Sequence, residues 1–236
     1  MPELPLIRWD APGPYAVAFS TRVGGVSTAP FDTLNLGRLT ADDPANVGEN
    51  RRRLSAEAGT DAELLRYCRQ VHGPLVRRAD SQGEPGDGVW SDQSGEPLLV
   101  FTADCLPVAL VRVNGEQPAV AALHIGWRGL LSGIVANAVQ ALGGGGLAAV
   151  LGPGIGPCCY EVQEDVAAPF RDRFGAEVVP DGKLDLWGAT EQALRSAGVG
   201  DVSRVDLCTA CHPELFFSHR RDGGRTGRQG LIAYVT

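Results

Sequence analysis

Apolar positions fall in short blocks separated by glycine, proline and asparagine, with a few longer amphipathic stretches between them. Residues 15–20 read as a strand leading into the turn Arg22-Val23-Gly24-Gly25. The runs 98–102, 108–113, 119–123, 147–151, 202–207 and 231–235 have the length and content of strands. Asn114-Gly115, between Val113 and the run from Ala119, predicts a tight hairpin whose returning strand ends at His124. Helical spacing covers 44–59, opened by Pro44 and stopped by Gly59, and 129–142, stopped by four glycines. Residues 164–174 and 185–197 are amphipathic helices closed by glycine. No composition break, long linker or internal repeat divides residues 1–236, so the pattern predicts one α+β domain with mixed sheet.

Three short islands interrupt this pattern at predicted strand ends. They are Gln70-Val71-His72-Gly73, Thr102-Ala103-Asp104-Cys105-Leu106-Pro107 and His124-Ile125-Gly126-Trp127-Arg128-Gly129. Two of the chain's four histidines and one cysteine lie in them. Such side chains bind zinc or move protons. Cys105 follows His72 by 33 residues and precedes His124 by 19, too far apart for the paired ligands of a zinc finger. Ligands gathered from three strand ends would leave a fourth tetrahedral position open, as in a catalytic zinc site. The same residues read equally as a thiolate–imidazolium pair, or as two loop histidines and a core thiol. Asp104, beside Cys105, is a candidate proton carrier. A strand–turn–helix junction after His124 makes a plausible anion cradle containing Arg128, unless Arg128 simply faces water.

Composition narrows the classes of function. The chain is 44% apolar and 21% charged, with a net charge of −7, which argues against a nucleic-acid surface. No apolar run is long enough to span a membrane, and no basic segment followed by an apolar one opens the chain, so the expectation is a cytoplasmic protein. Its only lysine, Lys183, lies in a polar turn, which disfavours lysine chemistry. Six cysteines in such a protein read as thiols, ligands or nucleophiles rather than a disulfide framework. Gly152-Pro153-Gly154-Ile155-Gly156-Pro157 lacks the dinucleotide-binding spacing, and its prolines remove N–H donors. Cys158 and Cys159 are neighbours, expected to face different directions and so not to form a metal pair. Cys208-Thr209-Ala210-Cys211-His212 matches the haem-attachment string, but attachment requires export.

Taken together, the islands and Phe19-Ser20-Thr21-Arg22-Val23-Gly24-Gly25, Leu34-Asn35-Leu36-Gly37, Val47-Gly48-Glu49-Asn50-Arg51, Gly152 through Val162 and Phe216 through Gln229 follow one order. In this the chain resembles the laccase-domain polyphenol oxidoreductase family, now regarded as purine nucleoside phosphorylases. Ile125 stands where the family more often has alanine, and His219 where it has an aromatic residue. The resemblance implies a single-domain α/β/β/α four-layer sandwich with mixed sheets, related to toxin deamidases with a Cys–His pair. It implies zinc (with copper as an alternative) on His72, Cys105 and His124, which would also be the catalytic residues. Implied activities are phosphorolysis of adenosine, inosine, guanosine and methylthioadenosine, and adenosine deamination. Arg22, Asn35, Arg51 and Arg128 are then candidates for binding nucleoside and phosphate. The expected partners are these small molecules alone, with no nucleic acid, no membrane and a monomeric chain. Rival readings are a metal-independent cysteine amidohydrolase, a copper-dependent phenol oxidase and a non-catalytic binding module. A multicopper centre needs more imidazoles than four histidines supply.

Overall fold

The structure is a computed structural model that describes residues 4–113 and 117–236. In chain order its strands are β1 (Leu6–Trp9), β2 (Tyr15–Ser20), β3 (Val76–Arg78), β4 (Gly88–Ser91), β5 (Leu98–Thr102), β6 (Leu106–Arg112), β7 (Val120–Ile125), β8 (Leu147–Leu151), β9 (Asp201–Arg204) and β10 (Gln229–Val235). The α-helices are α1 (Pro44–Glu57), α2 (Trp127–Leu131), α3 (Ile134–Ala141), α4 (Glu164–Phe174) and α5 (Leu186–Ser196). The strands form two sheets, ordered β1-β2-β10-β5 and β3-β4-β7-β6-β8-β9. The first is antiparallel throughout. The second is mixed, with parallel pairs β3–β4 and β8–β9 at its two edges.

Strand side chains alternate between two faces, and that alternation builds the layers. Tyr15, Val17 and Phe19 of β2, Leu98 and Val100 of β5, and Leu231 and Ala233 of β10 face the second sheet. They meet Ala109 and Val111 of β6, Val120 and Ala122 of β7, and Ala148 and Val150 of β8. Small alanines opposite large rings let the two sheets approach closely. On the outer face of the first sheet, Ala18, Leu99 and Ile232 pack with Leu54 and Ala58 at α1. On the outer face of the second, Val108, Leu110, Leu123 and Ala149 pack against residues of α2, α3, α4 and α5. The architecture is therefore the α/β/β/α sandwich.

Local differences from the expected elements have local causes. The stretch 129–142 is two helices, not one, because Gly133 takes φ 93° between them, a left-handed conformation open to glycine. Pro44 is the first residue of α1, and Asp43 caps it by accepting the Ala45 N–H. The short strands β1, β3 and β4 carry arginine, tryptophan or serine, and apolar patterning alone does not reveal them. β6 and β7 pair antiparallel as the hairpin signal requires, while Asn114 and Gly115 themselves lie outside the described residues. Among the described residues no helix is long and apolar enough to cross a membrane. The chain passes from the first sheet to the second between β5 and β6, through Ala103, Asp104 and Cys105.

Candidate metal centre and its cavity

His72, Cys105 and His124 come together, with ligand atoms all within 4.8 Å of one another. The His72 and His124 rings are edge-to-face, with centroids 4.9 Å apart. His124 lies near the end of β7, Cys105 immediately before β6, and His72 on the loop preceding β3. One of these positions, and the residue beside another, need unusual backbone. His72 has φ 59° and Asp104 φ 90°, conformations that cost energy in residues other than glycine and persist only where surrounding contacts enforce them.

Those contacts are visible. Asp87, buried immediately before β4, receives the His72 N–H on Oδ1 at 2.9 Å. Its Oδ2 receives the N–H groups of Val71 and Gly73 at 3.1 and 2.7 Å. The same Oδ1 accepts from His124 Nδ1 at 2.8 Å, which leaves Nε2 as the nitrogen available to Cys105 or a metal. One carboxylate thus orients both histidines. Gln70 pins the His72 loop to β5, donating to Phe101 O at 2.7 Å and accepting from Phe101 N at 2.8 Å. Asp104 is held from the other side, accepting from Thr209 Oγ1 and Arg220 N, both at 2.6 Å. Both of its oxygens are engaged, so in this structure Asp104 positions the loop that carries Cys105. Glycine at 126 gives the centre room, since a Cβ there would crowd Cys105 Sγ and the His72 ring, each at 3.2 Å.

The electrostatics follow from this packing. Burial works to raise the Cys105 pKa, but the charge and hydrogen bonds of His124 and His72 outweigh it and bring the thiol down to about 6. Burial works to lower the His124 pKa, yet Cys105 and Asp87 hold it up at about 9. Asp87 stays below its ordinary carboxylate value despite burial, because His124 and the N–H groups of Gly73 and Val71 favour its charged form. A thiolate beside two imidazoles, one of them backed by a carboxylate, is a donor set that suits zinc.

The centre opens onto a cavity of about 750 Å³. Tyr67, Phe101, Trp127 and Tyr160 supply aromatic surface, and Arg38, Arg51, Arg69, Arg128, Arg220 and Arg228 supply charge. Among the described residues none of these six arginines pairs with a carboxylate. Arg51 lies over both Tyr67 and Phe101, 4.7 Å from each ring centroid, and Arg128 lies 4.2 Å over Trp127. The structure therefore brings Arg51 and Arg128 to the cavity. It places Arg22 elsewhere, in an ion pair with Asp32 and bonded to Pro213 O. Asn35 is buried away from the cavity wall, accepting from Gly37 N and Arg228 N and donating to Thr40 and Asp42. Sequence reasoning did not single out Arg38, Arg69 or Arg228. Nor did it find Asp87, whose only signal is an acidic residue between two glycines before an apolar strand.

A sequence profile for the family described as multi-copper polyphenol oxidoreductase laccase matches residues 16–236. This chain belongs to that family. The match takes in all three islands and both walls of the cavity. Among its curated relatives, purine nucleoside phosphorylase YfiH of Escherichia coli (strain K12) is 37% identical over 248 residues, covering 100% of both chains. The purine nucleoside phosphorylase of Deinococcus radiodurans is 40% identical over 243 residues, covering 98% of this chain and 93% of that one. Solved structures of the same shape include protein NMB0706 of Neisseria meningitidis, with a TM-score of 0.89, 33% identity and 98% of each chain covered. YlmD of Geobacillus stearothermophilus gives a TM-score of 0.86 at 31% identity, covering 98% of this chain and 96% of that one.

Proposed function

We propose that this family member is a purine nucleoside phosphorylase acting on adenosine, inosine, guanosine and methylthioadenosine, with zinc held by His72, Cys105 and His124 and adenosine deamination as a second activity. The observation that carries the reading is one cavity in which a three-donor centre faces aromatic walls and arginines that pair with no carboxylate among the described residues. The names of the relatives support the phosphorylase part of this reading. A purine ring finds faces to stack on in Tyr67, Phe101, Trp127 and Tyr160. Phosphate finds guanidinium groups, whose planar fork matches its oxygens. Phosphorolysis forms a bond from a phosphate oxygen to the anomeric carbon as the glycosidic bond breaks and its electron pair leaves with the purine. Arginines that align phosphate shorten the approach, and fixed positive charge stabilises the departing base. Zinc held by His72, Cys105 and His124 would supply Lewis acidity at the centre. Asp87 keeps His124 in the tautomer that ligates through Nε2.

The family description mentions copper. Among the described residues two groups of donors are fit for a metal, one with two histidines and one with none. That is short of the imidazoles needed for a trinuclear copper site plus a blue-copper site. Weak phenol oxidation with adventitious copper at the first group is compatible with this donor set.

The deciding experiment supplies purified, zinc-replete protein with inosine and phosphate and measures hypoxanthine and ribose-1-phosphate. Turnover is expected. Its absence with inosine, adenosine and methylthioadenosine alike overturns the phosphorylase reading. A second reading is favoured by the chain of contacts from Cys105 to His124 to Asp87, which is also that of a cysteine amidohydrolase. Such an enzyme, which needs no metal, survives treatment with a chelator, whereas the proposed phosphorylase loses activity.

A further inference from the structure

Four of the six cysteines converge away from the cavity. The Sγ atoms of Cys158, Cys159, Cys208 and Cys211 all lie within 4.8 Å of one another. Cys211 Sγ is 3.5 Å from Cys158 Sγ and 3.4 Å from Cys159 Sγ. All four are free thiols. A disulfide brings sulfurs to about 2.05 Å. Four thiolates around zinc, each about 2.3 Å from it, stand about 3.8 Å apart by tetrahedral geometry. The observed spacing is that of the second arrangement.

The backbone shows how neighbouring cysteines come to share one site, contrary to the expectation that they point apart. That expectation holds for extended chain, but Cys158 and Cys159 sit in a tight turn in which Cys159 N and Tyr160 N both donate to Gly156 O at 3.0 Å. Cys208 and Cys211 close a second turn, with Cys211 N donating to Cys208 O at 3.2 Å. Thr209 N bonds Gly154 O at 3.0 Å and joins the two turns. Gly156 N donates to Cys208 Sγ at 3.2 Å, the kind of contact that stabilises a ligating thiolate. Cys158 and Cys211 are exposed, so they are not core-filling side chains. The single lysine, Lys183, donates to Cys158 O at 3.4 Å and places positive charge beside the cluster.

We propose that Cys158, Cys159, Cys208 and Cys211 bind a structural zinc ion, independent of the His72–Cys105–His124 group, that clips the loop after β8 to the turn at 208–211. Loading replaces thiol protons by Zn²⁺ and releases those protons to solvent, leaving a tetrathiolate complex of net negative charge. The clip reaches the cavity wall through Thr209, which lies between two of the ligands and donates to Asp104 beside Cys105.

The test uses the full chain carrying Cys105→Ala, so that its outcome does not depend on whether the first group is loaded. Purified under reducing conditions, this variant is expected to retain about one zinc per chain by elemental analysis. After exchange into cobalt(II) it is expected to show the sulfur-to-metal charge-transfer and visible ligand-field bands of a tetrahedral tetrathiolate. Adding Cys208→Ser and Cys211→Ser should abolish both signals. Should that variant not fold, Cys158→Ser in the Cys105→Ala background should lose zinc to a competing chelator about tenfold or more readily. Absence of zinc and of cobalt bands while the four thiols react freely overturns the proposal. So does a disulfide among the four, found by mass spectrometry in protein isolated without reductant, or unchanged zinc retention in the Cys158→Ser variant.

Discussion

The His72–Cys105–His124 group and the four-cysteine group both gather metal donors from distant segments, but in opposite settings. The first mixes nitrogen and sulfur, is backed by the buried carboxylate of Asp87, and faces a cavity lined with arginines. The second is all sulfur, is backed by backbone N–H groups, and none of its members lines that cavity. Three donors beside open space leave a coordination position for a reacting molecule, whereas four donors fill a tetrahedral shell. Donor count and access, more than the presence of cysteine, separate a centre built for chemistry from one built to hold loops together.

Substitutions sharpen this contrast, and the largest effect is expected at Cys105. Cys105→Ala should lower inosine phosphorolysis by about a hundredfold or more while metal at the four-cysteine group persists, because it removes a primary ligand. Equal loss of metal from both groups would break the distinction. Asp87→Asn comes next. It withdraws the charge that orients both histidines and should weaken metal binding at the first group by about 10–100-fold in competition with a chelator. Cys208→Ser with Cys211→Ser should act on stability more than on chemistry, lowering Tm by about 5–10 °C if it removes about 2–3 kcal/mol. A calorimetric scan before and after zinc removal checks this.

The smallest effect concerns the bridge between the groups. Asp222 accepts from Arg221, Thr226 and Ser218 N, and Arg221 in turn donates to Thr209 O in the cysteine turn. Burial tends to raise the Asp222 pKa, but Arg221 and Thr226 bring it below the ordinary value of 3.8. A depressed carboxylate stabilises the fold above its unfolded pKa and loses that contribution as pH falls through the folded one. Asp222→Asn should therefore cost about 1–2 kcal/mol at neutral pH, and the gap from the native chain should close on acidification below about pH 4. Urea unfolding at several pH values measures it. A gap that widens with acid would contradict the assignment.

The sequence made the scaffold readable where burial is one-sided and continuous. The strands at 98–102 and 147–151 and the helix at 164–174 are found where apolar periodicity puts them. The convergence of His72, Cys105 and His124 was also legible, because each sits where an apolar run meets a turn. Asp87 was not, because its role depends on four contacts made across the fold. The cysteine cluster was hidden by local geometry, since spacing along the chain does not tell a turn from a strand. Motif strings likewise do not say which polar residue faces a ligand. Asn35 and Arg51 belong to neighbouring motifs, yet the amide of Asn35 is taken up in tying loops while the guanidinium of Arg51 borders the cavity.

The crossing from β5 to β6 has a mechanical consequence. Ala103, Asp104 and Cys105 are the short tether between two stacked sheets, and the tether carries the sulfur of the centre. Cys105 and His124 are held together in the second sheet, where Leu106 pairs with Ile125, so sliding of one sheet over the other is registered at the His72 loop, which Gln70 pins to β5 of the first sheet. Heat should accordingly silence the centre before it melts the sheets, making activity an early gauge of shear between the layers.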